Sequence, residues 1–259
     1  MILIQKDRYG AALERYRDGG EFFPLIAAVL LDAQDGVVYA DDAVTPQQFY
    51  VEHSFGFAQI YGTSRASFEK ALEAYLFVTR RFSAPKVRLY GVDPPRFLSK
   101  PQYDAFRSIR QRFRRSGAAP PLATDDRRVA GLDVIAVDDA NVDETERTFG
   151  VVTRFWRGAP DFVRNANACV VTHEGDLASI CYGTAVADGK AEIDVLTESA
   201  NRRIGAGKVA VAAFIERCSA LSVEAVWDCF TNNEASMGLE HAMGFPPSRD
   251  PYTFFTISR

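Results

Sequence analysis

The chain has 259 residues, 47% hydrophobic and 25% charged, with a formal net charge of −4, which suits one large globular domain or two small ones. No apolar run approaches the ~18–20 residues that cross a bilayer, and the opening MILIQKDRYG lacks a basic stretch followed by an apolar core, so neither an anchor nor a secretory leader is expected. Cys169, Cys181, Cys218 and Cys229 form no CxxC pair, and His53, His173 and His241 stand at no ligand spacing, which predicts reduced buried thiols, a cytoplasmic setting and no metal site.

Tyr9, Leu13 and Tyr16 recur at helical spacing and stop at Gly19-Gly20. Apolar runs at 25–31, 37–39 and 49–60 read as strands. A helix is expected after Thr63-Ser64, carried by Phe68, Leu72, Tyr75, Leu76 and Thr79. A strand follows at 86–92, then a second helix from Pro101 with Tyr103, Phe106 and Phe113 on one face. Arg107, Arg110, Arg112, Arg114 and Arg115 would then line a solvated helix face, because no aromatic platform accompanies them as a nucleic-acid surface would require.

Residues 118–128, AAPPLATDDRR, lack periodicity and carry a Pro-Pro pair, the best linker candidate. Domains are therefore expected at 1–117 and 129–259. Residues 1–128 hold 19 Lys+Arg against 15 Asp+Glu, and residues 129–259 hold 11 against 19. An acidic second half favours cationic small molecules over nucleic acid as ligands.

After the linker, 132–137 reads as a strand, 143–157 as a helix and 161–165 as short helical material. Strands at 168–172, 178–186 and 191–197 follow, joined by the turns His173-Glu-Gly-Asp176 and Ala187-Asp-Gly-Lys190, an antiparallel meander. Helix 208–221, strand 224–230, helix 233–243 and strand 252–257 complete the chain. The expected class is α/β (α+β): a mixed, mostly antiparallel sheet flanked by helices. Both halves run strand–strand–strand–helix–strand–helix, so residues 1–117 are read as a degenerate copy of the second half. Where the second half has 202–208, the first has only Ile60-Tyr-Gly-Thr-Ser-Arg65, without the glycine spacing.

The segment Arg202-Arg203-Ile204-Gly205-Ala206-Gly207-Lys208 opens a helix. Glycines admit a close ligand, and a helix N-terminus attracts anions, so the loop reads as a phosphate site. A Walker loop fails, because Arg202 stands where it needs glycine and Val209 where it needs Ser or Thr. A dinucleotide fingerprint fits Gly205-x-Gly207-x-x-Ala210 only superficially, since polar residues 198–203 separate it from the strand. A purely structural glycine loop also stays open.

The loop also matches Gln/Arg-x-x-Gly-x-Gly/Ala through Arg202, Gly205 and Gly207. It follows the acidic strand Ala191-Glu-Ile-Asp-Val-Leu196. Downstream, Asn233-Glu-Ala-Ser236-x-x-Leu239-x-x-x-Met243-Gly244-Phe245 resembles an Asn-x-x-Ala/Ser…Leu-Gly-Phe helix. Over roughly the second half, the chain is thus similar to the GNAT superfamily of N-acetyltransferases, and WDCFTNNEASMGLEHAMGF resembles a bacterial branch with zwittermicin-type self-resistance enzymes.

That resemblance implies acetyl-CoA as co-substrate and a small-molecule primary amine as acceptor, by direct transfer; a homodimer is open. It implies that backbone amides of Arg203, Ile204, Gly205, Ala206, Gly207 and Lys208 cradle the pyrophosphate, with Arg202, Arg203 and Lys208 offsetting its charge. Strands 191–197 and 224–230 should splay around the pantetheine arm. An N–H near Leu196 or Thr197 should polarise the thioester carbonyl, and Asn233 should meet the pantetheine amides, a cap being its other role. Glu192 stands where family enzymes often place a glutamate base, and strand alternation puts Asp194 on its face. Where many family enzymes carry a tyrosine acid this chain has Glu240; the adjacent His241 would point about 100° around the helix, Tyr182 and Cys229 are further candidate donors, and solvent is the alternative source of the proton. Transfer of a longer acyl chain and a non-catalytic acyl-CoA-binding regulator remain the alternatives.

Overall fold

A computed structural model describes residues 1–19, 21–115 and 131–259. The proposed linker 118–128 lies outside the described residues. Contacts group the chain into two units, Met1–Arg110 with Pro251–Arg259, and Gln111–Asp250. Each is a mixed, mostly antiparallel sheet flanked by helices.

The first unit runs β1 (Ile2–Ile4), α1 (Tyr9–Arg17), α2 (Pro24–Leu30), β2 (Gly36–Ala40), β3 (Gln48–His53), β4 (Phe57–Gly62), α3 (Ala66–Glu73), β5 (Lys86–Gly91) and the start of β6 (Arg107–Arg115). Strands β1 to β4 pair antiparallel in order, and β5 lies parallel to β4. The run at 25–31 is a helix, not a strand. Pro24 supplies its fixed φ at the first turn, and every residue of α2 is buried. A helix buried all round shows no periodicity, so a short apolar run looks alike in both states. The run at 49–60 is two strands, turned at Gly56, whose φ of +90° few other residues adopt.

The helix expected from Pro101 is a 3-10 segment, Pro101–Phe106, that gives way to β6. Arg110, Arg112 and Arg114 stand two residues apart, the period of a strand. The C-terminal strand Tyr252–Ser258 pairs antiparallel with β5 and with residues 107–110 of β6, not with the second half that precedes it in sequence. Phe255 and Ile257 enter the core formed with Phe68, Leu72, Leu76 and Leu89.

The second unit begins with residues 111–115 and continues with β7 (Leu132–Ala136), α4 (Val142–Phe149), α5 (Val152–Phe155), α6 (Ala159–Asn165), β8 (Cys169–His173), β9 (Asp176–Ala187), β10 (Lys190–Thr197), α7 (Ala206–Ala220), β11 (Glu224–Phe230) and α8 (Glu234–Ala242); the C-terminal strand is β12. The helix expected at 143–157 is broken because Gly150 turns left-handed at φ +61° and ends α4. Strands β7 to β10 form an antiparallel meander, and β11 lies parallel to β10. Apolar positions of α7, including Ala210, Val211 and Phe214, pack with Ala191, Ile193, Ala225 and Trp227. That packing assigns odd positions of β10 and β11 to the α7 face and even positions to the opposite face.

Candidate active site

Strands β10 and β11 pair at only three positions, Lys190 with Glu224, Ala191 with Ala225 and Glu192 with Val226. Beyond Glu192 the β9 register slips by one residue, Thr184 being skipped. The side chain of Thr184 donates to the Glu192 carbonyl at 3.2 Å. From there β10 keeps its pairing to β9 alone, so its other edge opens into a cleft toward β11. The Glu198 amide donates to the Ala178 carbonyl at 2.9 Å. Alternation then turns the Leu196 amide toward β9 and the Thr197 and Val195 amides toward the cleft. Of the two amides expected near the thioester, Thr197 faces the cleft. The Val195 amide is already engaged by Asp194 Oδ1 at 3.0 Å.

At the mouth, a 3-10 turn Ser199–Asn201 leads into the glycine loop. Arg203 at φ +67° and Gly205 at φ +89° are left-handed, and Gly205 stands at the N-cap of α7 without a side-chain cap. The first-turn amides of α7 therefore have no intrahelical acceptor and point outward, together with the positive end of the helix dipole. Arg202, Arg203 and Lys208 are exposed around them, while Ala206 is buried and Ile204 packs on the core. A Cβ on Gly207 would come within 3.1 Å of Thr197 Oγ1, so glycine lets the helix start close against the end of β10. The exposed Arg202, Arg203 and Lys208 thus stand around the positive end of the α7 dipole.

On the face opposite α7, a row of charged groups crosses the strands. Arg112, fully buried, places Nη2 3.5 Å from Glu192 Oε2 and Nε 3.4 Å from Asp228 Oδ2. The Glu192 side chain is 6% exposed and that of Asp228 0%. The guanidinium therefore links β10 to β11 near the point where their backbone pairing ends. One step along β10, Asp194 is 36% exposed. It accepts from the Tyr182 hydroxyl at 2.8 Å and lies 3.5 Å from Arg154. Burial, then the neighbouring Asp194 charge, raises the Tyr182 hydroxyl pKa well above its ordinary value, so this group remains a donor. The two carboxylates share a face, and Asp194 is the more exposed of the two.

Asn233 caps α8, its Oδ1 accepting from the Ser236 amide at 3.2 Å. Ser236 Oγ accepts from Trp227 Nε1 at 3.0 Å, and Cys229 Sγ approaches Met237 Sδ at 3.5 Å. These contacts define the α8 face that meets β11. Glu240, three and four residues beyond Met237 and Ser236, shares that face and is 4% exposed. Burial raises its carboxyl above the usual range, with His241 acting in the opposite direction. Arg112 and Asp228 are the site residues that sequence reasoning missed. The two-residue spacing of the arginines was the only signal for the first.

The model of the family described as GNAT acetyltransferase matches residues 123–255. The chain is 21% identical over 254 residues, 93% of each protein, to an uncharacterized N-acetyltransferase, YdfB, of Bacillus subtilis strain 168. Among solved structures, a GCN5-related N-acetyltransferase-like protein from Streptococcus suis 89/1591 superposes with a TM-score of 0.71 at 16% identity, covering 98% of this chain and 100% of that one. A tandem GNAT protein from the clavulanic acid biosynthesis pathway gives 0.62 at 12% identity, covering 99% and 97%. At these identities the structural likeness speaks for the fold.

Proposed function

Since the chain belongs to the GNAT acetyltransferase family of acyl-CoA-dependent N-acetyltransferases, we propose that it transfers an acetyl group from acetyl-CoA directly to a primary amine of a small molecule. What supports this reading is that β10 and β11 stop pairing after Glu192 and that β10 then leads to the Arg203–Gly205 turn and the uncapped α7 N-terminus. In this reading the first-turn amides and Arg202, Arg203 and Lys208 take the pyrophosphate, and the Thr197 amide polarises the thioester carbonyl. Asn233 contributes mainly by capping α8.

An ammonium has no lone pair, so one proton must leave before attack. Asp194, the more exposed carboxylate, takes it directly or through water, while Glu192, beside Arg112 and more deeply buried, adds negative charge that draws the cation in. The amine nitrogen bonds to the acyl carbon, the C–S bond breaks, and the thiolate takes a proton. Glu240 is assigned as that proton's source, because burial keeps its carboxyl protonated to higher pH than an exposed glutamate. Glu240→Gln should then lower kcat by up to about 10²-fold while leaving acetyl-CoA binding intact. Glu240→Tyr should restore part of the loss. An unchanged kcat in the glutamine variant would hand the proton to solvent.

Cofactor binding itself has a simple test. Acetyl-CoA at about 100 times its Kd should stabilise the native protein by about 2.7 kcal/mol, read as a rise in Tm. Gly205→Val forces a β-branched residue into a left-handed N-cap, and its ligand-induced rise should vanish. A full rise in that variant would place the cofactor elsewhere. Release of CoA on adding a panel of primary amines separates turnover from a binding-only regulator.

A further inference from the structure

The first unit holds a cavity of about 940 Å³, within the range of small-molecule sites. It lies where β4 and β5, paired in parallel only at Phe57 with Arg88, Ala58 with Leu89 and Gln59 with Tyr90, come apart. That is the same topological place as the β10–β11 cleft of the second unit. Its chemistry is the reverse. The loop from β4 into α3 has no glycine pair, and two of its amides are already used. The Thr63 amide donates to the Gln47 carbonyl at 2.8 Å, and the Arg65 amide donates to Gln48 Oε1 at 2.7 Å. Glu69, in the first turn of α3, brings a carboxylate to the helix end and accepts from Ser64 Oγ at 2.5 Å and Gln48 Nε2 at 3.1 Å.

On the β5 side the lining continues through Pro94 and Pro95, which carry no amide hydrogen. Four carboxylates, Asp18, Glu21, Glu69 and Asp93, border the cavity against two cations, Arg15 and Arg96. One of the cations is turned to a hydroxyl, Arg15 Nη2 donating to Thr63 Oγ1 at 3.1 Å. Behind them Tyr16 donates to Gln59 Oε1 at 2.6 Å, and both side chains are buried, which fixes the inner wall. A phosphate group would meet the Glu69 carboxylate at the helix end and a lining of net negative charge. A ligand that brings its own N–H donors and positive charge meets acceptors of opposite charge.

We propose that this cavity binds a small amine-bearing cation and excludes acyl-CoA and other phosphate-bearing ligands. The site stands on the first unit alone, so it survives or fails independently of the transferase reading. Full-length ¹⁵N-labelled protein titrated with spermidine should show saturable shifts at the amides of residues 59–64 and of Asp93. The double variant Asp18→Asn/Asp93→Asn should weaken that binding about fivefold or more, the size expected of two partly exposed charge contacts. Asparagine tolerates the left-handed φ of +49° at residue 93, so the fold is kept. The rise in Tm with acetyl-CoA should be the same in wild type and double variant. Absence of saturable shifts at those amides would overturn the proposal, as would equal spermidine affinity in the double variant. Acetyl-CoA or inorganic pyrophosphate shifting the same amides would overturn it too, by making the cavity a phosphate site.

Discussion

Arg112→Met is expected to destabilise the protein by about 3–5 kcal/mol, the usual cost of removing one partner from a buried ion pair. The variant leaves Glu192 and Asp228, 6% and 0% exposed at their side chains, without the guanidinium between them. Two carboxylates in such a setting lose most of their hydration and gain mutual repulsion. Denaturant titration would read the change as a lower midpoint at constant m-value. In a protein of this size a loss of 3–5 kcal/mol lowers Tm by about 6–20 °C. The triple variant Arg112→Met/Glu192→Gln/Asp228→Asn should recover much of the loss, since neutral groups no longer need the cation. A change below about 1 kcal/mol in the single variant would mean that the strands are held together without this linkage.

Asp194→Asn is expected to lower kcat by about 10²-fold or more near neutral pH, with little change in the acetyl-CoA-induced rise in Tm. Asparagine keeps an acceptor for the Tyr182 hydroxyl, now 2.8 Å from Asp194, so geometry is preserved while basicity is lost. The sign of the pH dependence follows from the acceptor. An alkyl amine deprotonates by itself near pH 10, as a lysine side chain does. The deficit should therefore shrink as pH rises and the free base accumulates. Glu192→Gln serves as the counterpart. If Glu192→Gln shows the pH-dependent loss and Asp194→Asn does not, the base is Glu192. A pH-independent deficit in Asp194→Asn would leave that side chain a positioning role.

The Arg112 contacts also bear on where the chain can be cut. A fragment beginning at residue 129, the boundary that the Pro-Pro stretch suggests, omits residues 111–115, which belong to the second unit. It would carry Glu192 and Asp228 without their cation. It would also carry β12, whose pairing partners are β5 and the first residues of β6. A useful dissection has to respect those pairings and not the composition of residues 118–128.

Much of the second unit was readable because its determinants are local. The turns around Gly175 and Gly189 close hairpins between alternating strands, and both glycines adopt the positive φ such turns need. Gly205 and Gly207 at the start of an amphipathic segment announce an open helix N-terminus, and α7 begins there at Ala206. Alternation alone put Glu192 and Asp194 on one face. What it could not supply was their different surroundings, since the cation beside Glu192 is 80 positions earlier in the chain.

The sequence by itself determined the order of elements from residue 168 onward, the position of the glycine loop and the face shared by the two carboxylates. Each depends on residues within a few positions of one another, where backbone sterics and side-chain period decide the outcome. Only the tertiary structure decided the rest. Residues 25–31 became a helix because burial on every side removes the periodicity that distinguishes helix from strand. The stretch 107–115 became a strand because β12 and β11 offer its backbone hydrogen bonds from far along the chain. Arg112 left solvent because two buried carboxylates await its charge, and a pairing of that kind is fixed by packing, with no trace in the local pattern.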